Sequence, residues 1–69
     1  MRERYEEHIR NMKEFAARSY KIIKEFDDMD LPEHEREIVK GILYEQRREY
    51  LREKATELMD IIYAMVREE

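Results

Sequence analysis

Apolar residues in the first part of the chain recur at intervals of three and four, which is the spacing of one face of an α-helix. Seven of them occupy the two core positions of a seven-residue repeat: Met1, Tyr5, Met12, Phe15, Ile22, Phe26 and Met29. Ile9, Ala16 and Ile23 flank this stripe on one side. The pattern predicts an amphipathic helix over residues 2–29, with an apolar face wider than the seam between two helices requires.

Two polar residues interrupt the apolar stripe of the first helix. His8 and Ser19 both fall on core positions of the repeat. We expect His8 to be solvated, because it lies close to the end of the helix. We expect Ser19 to be a small residue of the seam whose hydroxyl bonds to a carbonyl in the preceding turn.

The second part of the chain carries apolar residues on two different sides of one helix, predicted over residues 32–67. The first group is Ile38, Val39, Ile42 and Leu43, continued by Gln46 and Tyr50. The second group is Leu51, Ala55, Leu58, Ile62 and Met65. At 100° per residue the two groups are rotated by roughly 100° from each other, so one partner helix does not cover both.

The turn between the helices is predicted at residues 30–31. Pro32 is incompatible with a helix interior and biases the residue before it away from helical dihedral angles. Asp30 and Glu33 match the spacing of a capping box at the start of the second helix. Gly41 is expected to lie within a continuous helix, opposite Ile22, where the missing side chain allows close approach. A hinge at Gly41 is the alternative.

Length and composition favour one small folded unit. The chain has 69 residues, of which 42% are hydrophobic and 46% charged, and it contains no cysteine. These features predict a single all-α domain over residues 1–69, an antiparallel two-helix hairpin. The second helix is the longer one, so Ile61 and Ile62 reach the first residues of the first helix, whereas Met65 and Val66 find no partner within the hairpin.

A hairpin of this size has too little core to stand alone, and pairing into a homodimeric four-helix bundle is the ordinary solution. The residues predicted at the oligomer interface are Tyr5, Met12, Phe15, Leu51, Leu58, Ile62, Met65 and Val66.

The chemistry of the side chains favours no enzyme, metal or cofactor. Neither histidine has a glutamate three residues before it, so the Glu-x-x-His pattern of di-metal bundles is absent. Ser19 is the only serine and has no histidine at helical spacing. We therefore expect no catalytic residues and no cofactor. No apolar run approaches the roughly 20 residues that span a bilayer, so we expect no membrane association and a cytoplasmic location.

Nucleic-acid binding is a weaker hypothesis. Arg47, Arg48 and Arg52 cluster in the second helix near two tyrosines, a combination that can grip phosphates and bases. A hairpin with the acidic turn Asp27-Asp28-Met29-Asp30 resembles in layout the Rop family of RNA-binding helical dimers. That resemblance implies a dimer without catalytic apparatus and assigns no residue. The net charge of -4 opposes a general attraction to nucleic acid.

The leading hypothesis is a non-enzymatic helical interaction module, which self-associates and presents a helical surface to a protein partner. A designed bundle without a natural task is an alternative, since cysteine-free chains with one turn and many charges are typical of such proteins. Five methionines and imperfect heptads argue against it.

Overall fold

The computed structural model describes residues 2–68, and within them the chain forms two α-helices and no strand. Helix α1 spans Arg2–Asp27 and helix α2 spans Glu33–Glu68. The prediction of an all-helical chain is confirmed. Helix α1 ends two residues earlier than predicted, and α2 begins and ends one residue later than predicted. Met1 and Glu69, the ends of the predicted domain, lie outside the described residues.

Backbone hydrogen bonds explain where each helix stops. The amide of Asp28 donates to the carbonyls of Lys24 and Glu25, at 3.2 Å each, and tightens the last turn of α1. The carbonyl of Pro32 accepts from the amide of Arg36 at 3.0 Å, which makes Pro32 the cap residue of α2. The predicted capping box is therefore wrong: the helix starts after the proline, too far along the chain for Asp30 to cap it.

Three cross-hairpin contacts show that the helices run antiparallel. Lys40 Nζ lies 3.0 Å from Asp27 Oδ1, and Arg47 Nε donates to Ser19 Oγ at 2.8 Å. Near the open end, His8 Nε2 lies 2.7 Å from the carbonyl oxygen of Lys54. The α2 residues in these contacts are seven apart, so one line of the helix faces α1 along its whole length. Ile61 continues that line toward the open end.

The core of the hairpin is small. Ile23 and Ile61 are 3% exposed, and no other described apolar residue is buried to that extent. Ile22, predicted in the seam, is exposed, because the facing line of α1 is rotated toward Ile23. The exposed positions of Ile38 and Ile42 agree with the prediction that one partner helix does not cover both apolar groups of α2.

Gly41 lies within a continuous helix, as predicted, but it does not bring the helices together. A Cβ atom built at Gly41 meets nothing within 4 Å. The glycine therefore faces open space, since it sits next to Lys40 and about 100° around the helix from the line that faces α1. Its predicted packing against Ile22 is wrong.

The open end of the hairpin reaches further than predicted. Met65 is half-buried and lines one cleft with Arg2 and Tyr5. The prediction that Met65 finds no partner within the hairpin is wrong, because the observed register brings it level with the first turn of α1. Val66 is 66% exposed, as the prediction for that residue requires.

The hairpin is long and thin. Its principal extents are 55 × 15 × 8 Å and its radius of gyration is 16.2 Å. A compact domain of the same length has a radius of gyration of about 11 Å. The fold therefore has two broad faces, one on each side of the plane that contains both helix axes.

The ion pair at the turn makes the stability of the fold depend on pH. The hydrogen bond from Lys40 holds the pKa of Asp27 below its usual 3.8, and the same bond raises the pKa of Lys40 above its usual 10.5. Stability from the carboxylate is lost as pH falls through the lowered pKa of Asp27. Stability from the amine is lost as pH rises through the raised pKa of Lys40. The pair therefore stabilises the fold between about pH 4 and pH 10.

We predict that Asp27→Asn flattens the acid limb of the stability profile. Between about pH 5 and pH 3, the urea midpoint should fall less in this variant than in the unmodified chain. The effect should be small, because both side chains of the pair are partly exposed. Asp28→Asn is the matched control, since Asp28 makes no ion pair within the described residues. Equal acid limbs for Asp27→Asn and the unmodified chain would contradict the prediction.

Candidate interaction surfaces

A polar clamp holds the middle of the hairpin. Arg47 donates from Nε to Ser19 Oγ at 2.8 Å and from Nη2 to the carbonyl of Ala16 at 3.1 Å. Ser19 Oγ in turn donates to the carbonyl of Phe15 at 2.7 Å, as predicted from the sequence. Because the guanidinium is charged and its donors have fixed directions, the clamp specifies the register of the two helices.

A second polar group lies near the open end. The side chain of His8 is 15% exposed, which contradicts its expected solvation. Its Nε2 carries a proton, because the partner at 2.7 Å is the carbonyl of Lys54. The Glu57 carboxylate lies 3.9 Å from His8 Nε2 and 3.1 Å from Lys54 Nζ, where it raises the pKa of Lys54. Arg4 and Asp60 line the same cleft.

Helical geometry divides the remaining seam residues between the two broad faces. In α2 the line through Arg47, Lys54 and Ile61 faces α1. A residue three positions after a member of this line is rotated 300° and lies on one side of it. A residue four positions after is rotated 400°, which is 40°, and lies on the other side. The same rule applies to α1, taken from the line that contains Ser19.

We call the first side the Tyr50 face, and it contains an open apolar cleft in its turn half. The cleft is about 350 Å³ in volume. Its lining includes Phe15, Ile22, Leu43, Gln46 and Tyr50. The rings of Phe15 and Tyr50 lie 3.9 Å apart between centroids, tilted by 31°. Toward the open end the same face becomes charged at the His8 cleft.

We call the second side the Leu58 face. It is defined by Ile9, Ala16 and Ile23 of α1 and by Tyr44, Leu51, Ala55, Leu58, Ile62 and Met65 of α2. The side chains nearest the seam are half-buried by the partner helix, whereas Ala55 and Ile62 are exposed. The strip contains no charged residue over most of the length of the hairpin. It is the longest uncharged surface that the two helices form together.

The residues predicted at the oligomer interface are divided between these surfaces. Leu51, Leu58, Ile62 and Met65 lie on the Leu58 face, with Val66 at its outer edge. The predicted α1 residues Tyr5 and Met12 are half-buried along the seam. Phe15 lies in the cleft of the Tyr50 face. The structure therefore does not bring the predicted set together on one side.

The predicted nucleic-acid residues are also divided. Arg47 is half-buried and hydrogen-bonded across the hairpin, whereas Arg48 and Arg52 are exposed. Arg36, Lys40 and Lys54 are also only partly exposed. The acidic residues of α2 outside the seam are exposed: Glu33, Glu35, Glu37, Glu45, Glu49, Glu53, Glu57 and Asp60.

Basic residues in the seam are the feature that the sequence analysis missed. Lys40, Arg47 and Lys54 are spaced by seven, so a helix that presents one of them to its neighbour presents all three. This regular interval was the available signal. The apolar pattern hid it, because apolar residues lie on both sides of the basic line.

Other kinds of site were sought within residues 2–68. No three histidine, aspartate or glutamate side chains there are grouped so that they could hold a metal ion. Neither helix contains, in its described part, an apolar stretch long enough to cross a bilayer.

Comparisons with protein-family models, with curated proteins and with solved structures found no match to this chain.

We predict that Arg47 and Ser19 are energetically coupled. In a double-mutant cycle of Arg47→Ala and Ser19→Ala, urea unfolding at fixed protein concentration should give a coupling free energy of about 1 kcal/mol. The charged donor makes this bond stronger than a neutral one, and partial exposure weakens it. Arg48→Ala, on the exposed neighbour, should change stability by no more than about 0.5 kcal/mol. A coupling energy indistinguishable from zero would show that the clamp contributes nothing.

Proposed function

We propose that this protein is a non-enzymatic helical interaction module, which self-associates into a homodimeric four-helix bundle and presents its remaining helical surface to a protein partner. The observation that carries the proposal is the surface left open by the single hairpin. The chain exposes 5882 Å² to solvent. A compact monomer of 8.7 kDa exposes about 4,700 Å². The excess of roughly 1,100 Å² exceeds the approximately 800 Å² that one partner contributes to a standard protein interface.

The character of the exposed surface supports the same proposal. Large apolar side chains are exposed on both helices: Tyr20, Ile22, Met29, Ile38, Ile42, Tyr50, Met59, Ile62, Tyr63 and Val66. Single exposed apolar residues are ordinary on a protein surface, but many on a chain with two well-buried residues are not. Covering them with another helical surface stabilises the fold by the hydrophobic effect.

The hydrogen bonds of the candidate catalytic groups support a non-enzymatic role. Ser19 Oγ donates to the carbonyl of Phe15 and accepts from Arg47, and His8 donates to the carbonyl of Lys54. Both groups are engaged in bonds that hold the hairpin together. They are also eleven residues apart on α1, about 16 Å along the helix axis, which is too far for one to activate the other.

A nucleic-acid function receives less support than self-association. Of the three predicted arginines, Arg47 is engaged in the clamp, and Arg48 and Arg52 stand among exposed carboxylates. The described surface of α2 is therefore unfavourable to a phosphate backbone. No observation favours this function over a protein partner.

Light scattering across a dilution series tests the proposal. We expect a mass of twice 8.7 kDa at high concentration, falling toward the mass of one chain on dilution as the dimer dissociates. The contradictory outcome is a particle of one chain mass at every concentration that nevertheless stays fully helical.

A further inference from the structure

The two broad faces of the hairpin differ in what they could bury. The Tyr50 face is apolar only in its turn half, and its open half carries Arg4, His8, Glu57 and Asp60 around one cleft. Covering that half with another hairpin would remove charged groups from water, at a cost that ion pairing only partly offsets. The Leu58 face has no such interruption between Tyr44 and Met65.

We infer that the Leu58 face is the surface on which the second copy of this chain docks, and that the Tyr50 face stays outside the dimer. This inference rests on the proposed self-association and specifies which side of the hairpin carries it. In a two-fold dimer the same patch meets itself, so it must tolerate its own image. An uncharged apolar strip meets this condition, whereas a patch that carries fixed charges places like charges close to one another.

The dimensions of the Leu58 face fit a second hairpin. From Tyr44 to Met65 the strip runs about 31 Å, and two packed helices are about 20 Å wide. The footprint is therefore roughly 600 Å², before the relief of the side chains is counted, close to the approximately 800 Å² per partner of a standard interface.

The borders of the Leu58 face are suited to an interface rim. Lys13 and Arg48 flank the strip and are exposed. Their long side chains can lie along the apolar surface while the charged groups remain in water. Ala16 and Ala55 provide low points between larger residues, where side chains of the second copy can insert.

Matched substitutions on the two faces test the inference. Ile62 on the Leu58 face is 37% exposed and Ile22 on the Tyr50 face is 55% exposed, so a glutamate at either position can reach solvent in the single hairpin. We expect Ile62→Glu to raise the dimer dissociation constant about 100-fold, because the carboxylate is buried only when the second copy docks. Ile22→Glu should leave the constant within about 3-fold of its original value, as expected for an exposed substitution.

Alkylation of single cysteines gives a second measurement that does not depend on a disruptive substitution. The natural chain has no cysteine, so Ala55→Cys and Gln46→Cys each carry one thiol, both at exposed positions of the single hairpin. Raising the concentration above the dissociation constant should slow alkylation of Ala55→Cys at least about 10-fold, because an amide-like burial removes the thiol from the reagent. Alkylation of Gln46→Cys should keep its rate.

The outcomes separate the inference from the proposal on which it rests. A dimer that Ile22→Glu dissociates and Ile62→Glu does not, or in which only Gln46→Cys is protected, overturns the choice of face and leaves self-association standing. A chain that stays monomeric at every concentration overturns both. If both glutamate variants lose helix content, protection of Ala55→Cys alone supports the Leu58 face, and equal rates for the two thiols overturn it.

Discussion

The structure depends on one seam between two long helices. A two-helix hairpin can bury side chains only along the line where its helices face each other, and here much of that line in α2 is occupied by Lys40, Arg47 and Lys54. The hydrogen bonds of these residues to α1 fix the register without adding much apolar burial. Ile23 and Ile61 are therefore the core, and the other apolar residues remain on the outside.

The placement of charge in α2 has a consequence for recognition. Basic side chains are used inside the hairpin, where charge-assisted bonds to carbonyls and to Asp27 satisfy them. Carboxylates remain outside. A helix whose sequence has nearly balanced charges thus presents a mostly acidic outer surface, and a partner should be apolar or basic rather than a nucleic acid.

Much of the fold could be predicted from the sequence, because hydrophobic periodicity and one proline specify two long helices and the turn between them. The rotation of each helix about its axis could not. Ile22 and Ile23 are equally apolar neighbours, and the choice of Ile23 for the seam follows from the clamp between Ser19 and Arg47. Composition gives no reason to place an arginine in a seam. The candidate interface was predicted only in part, since separating Phe15 from Leu58 requires the register of both helices.

The central claim is that one hairpin leaves too much apolar surface exposed to be stable alone. The most direct test is the dependence of the thermal unfolding midpoint on protein concentration, followed by circular dichroism over a hundredfold dilution. Mass action requires the midpoint of a folded dimer to fall as the chain is diluted. The account predicts that fall. A cooperative transition whose midpoint stays constant across the whole range would contradict it.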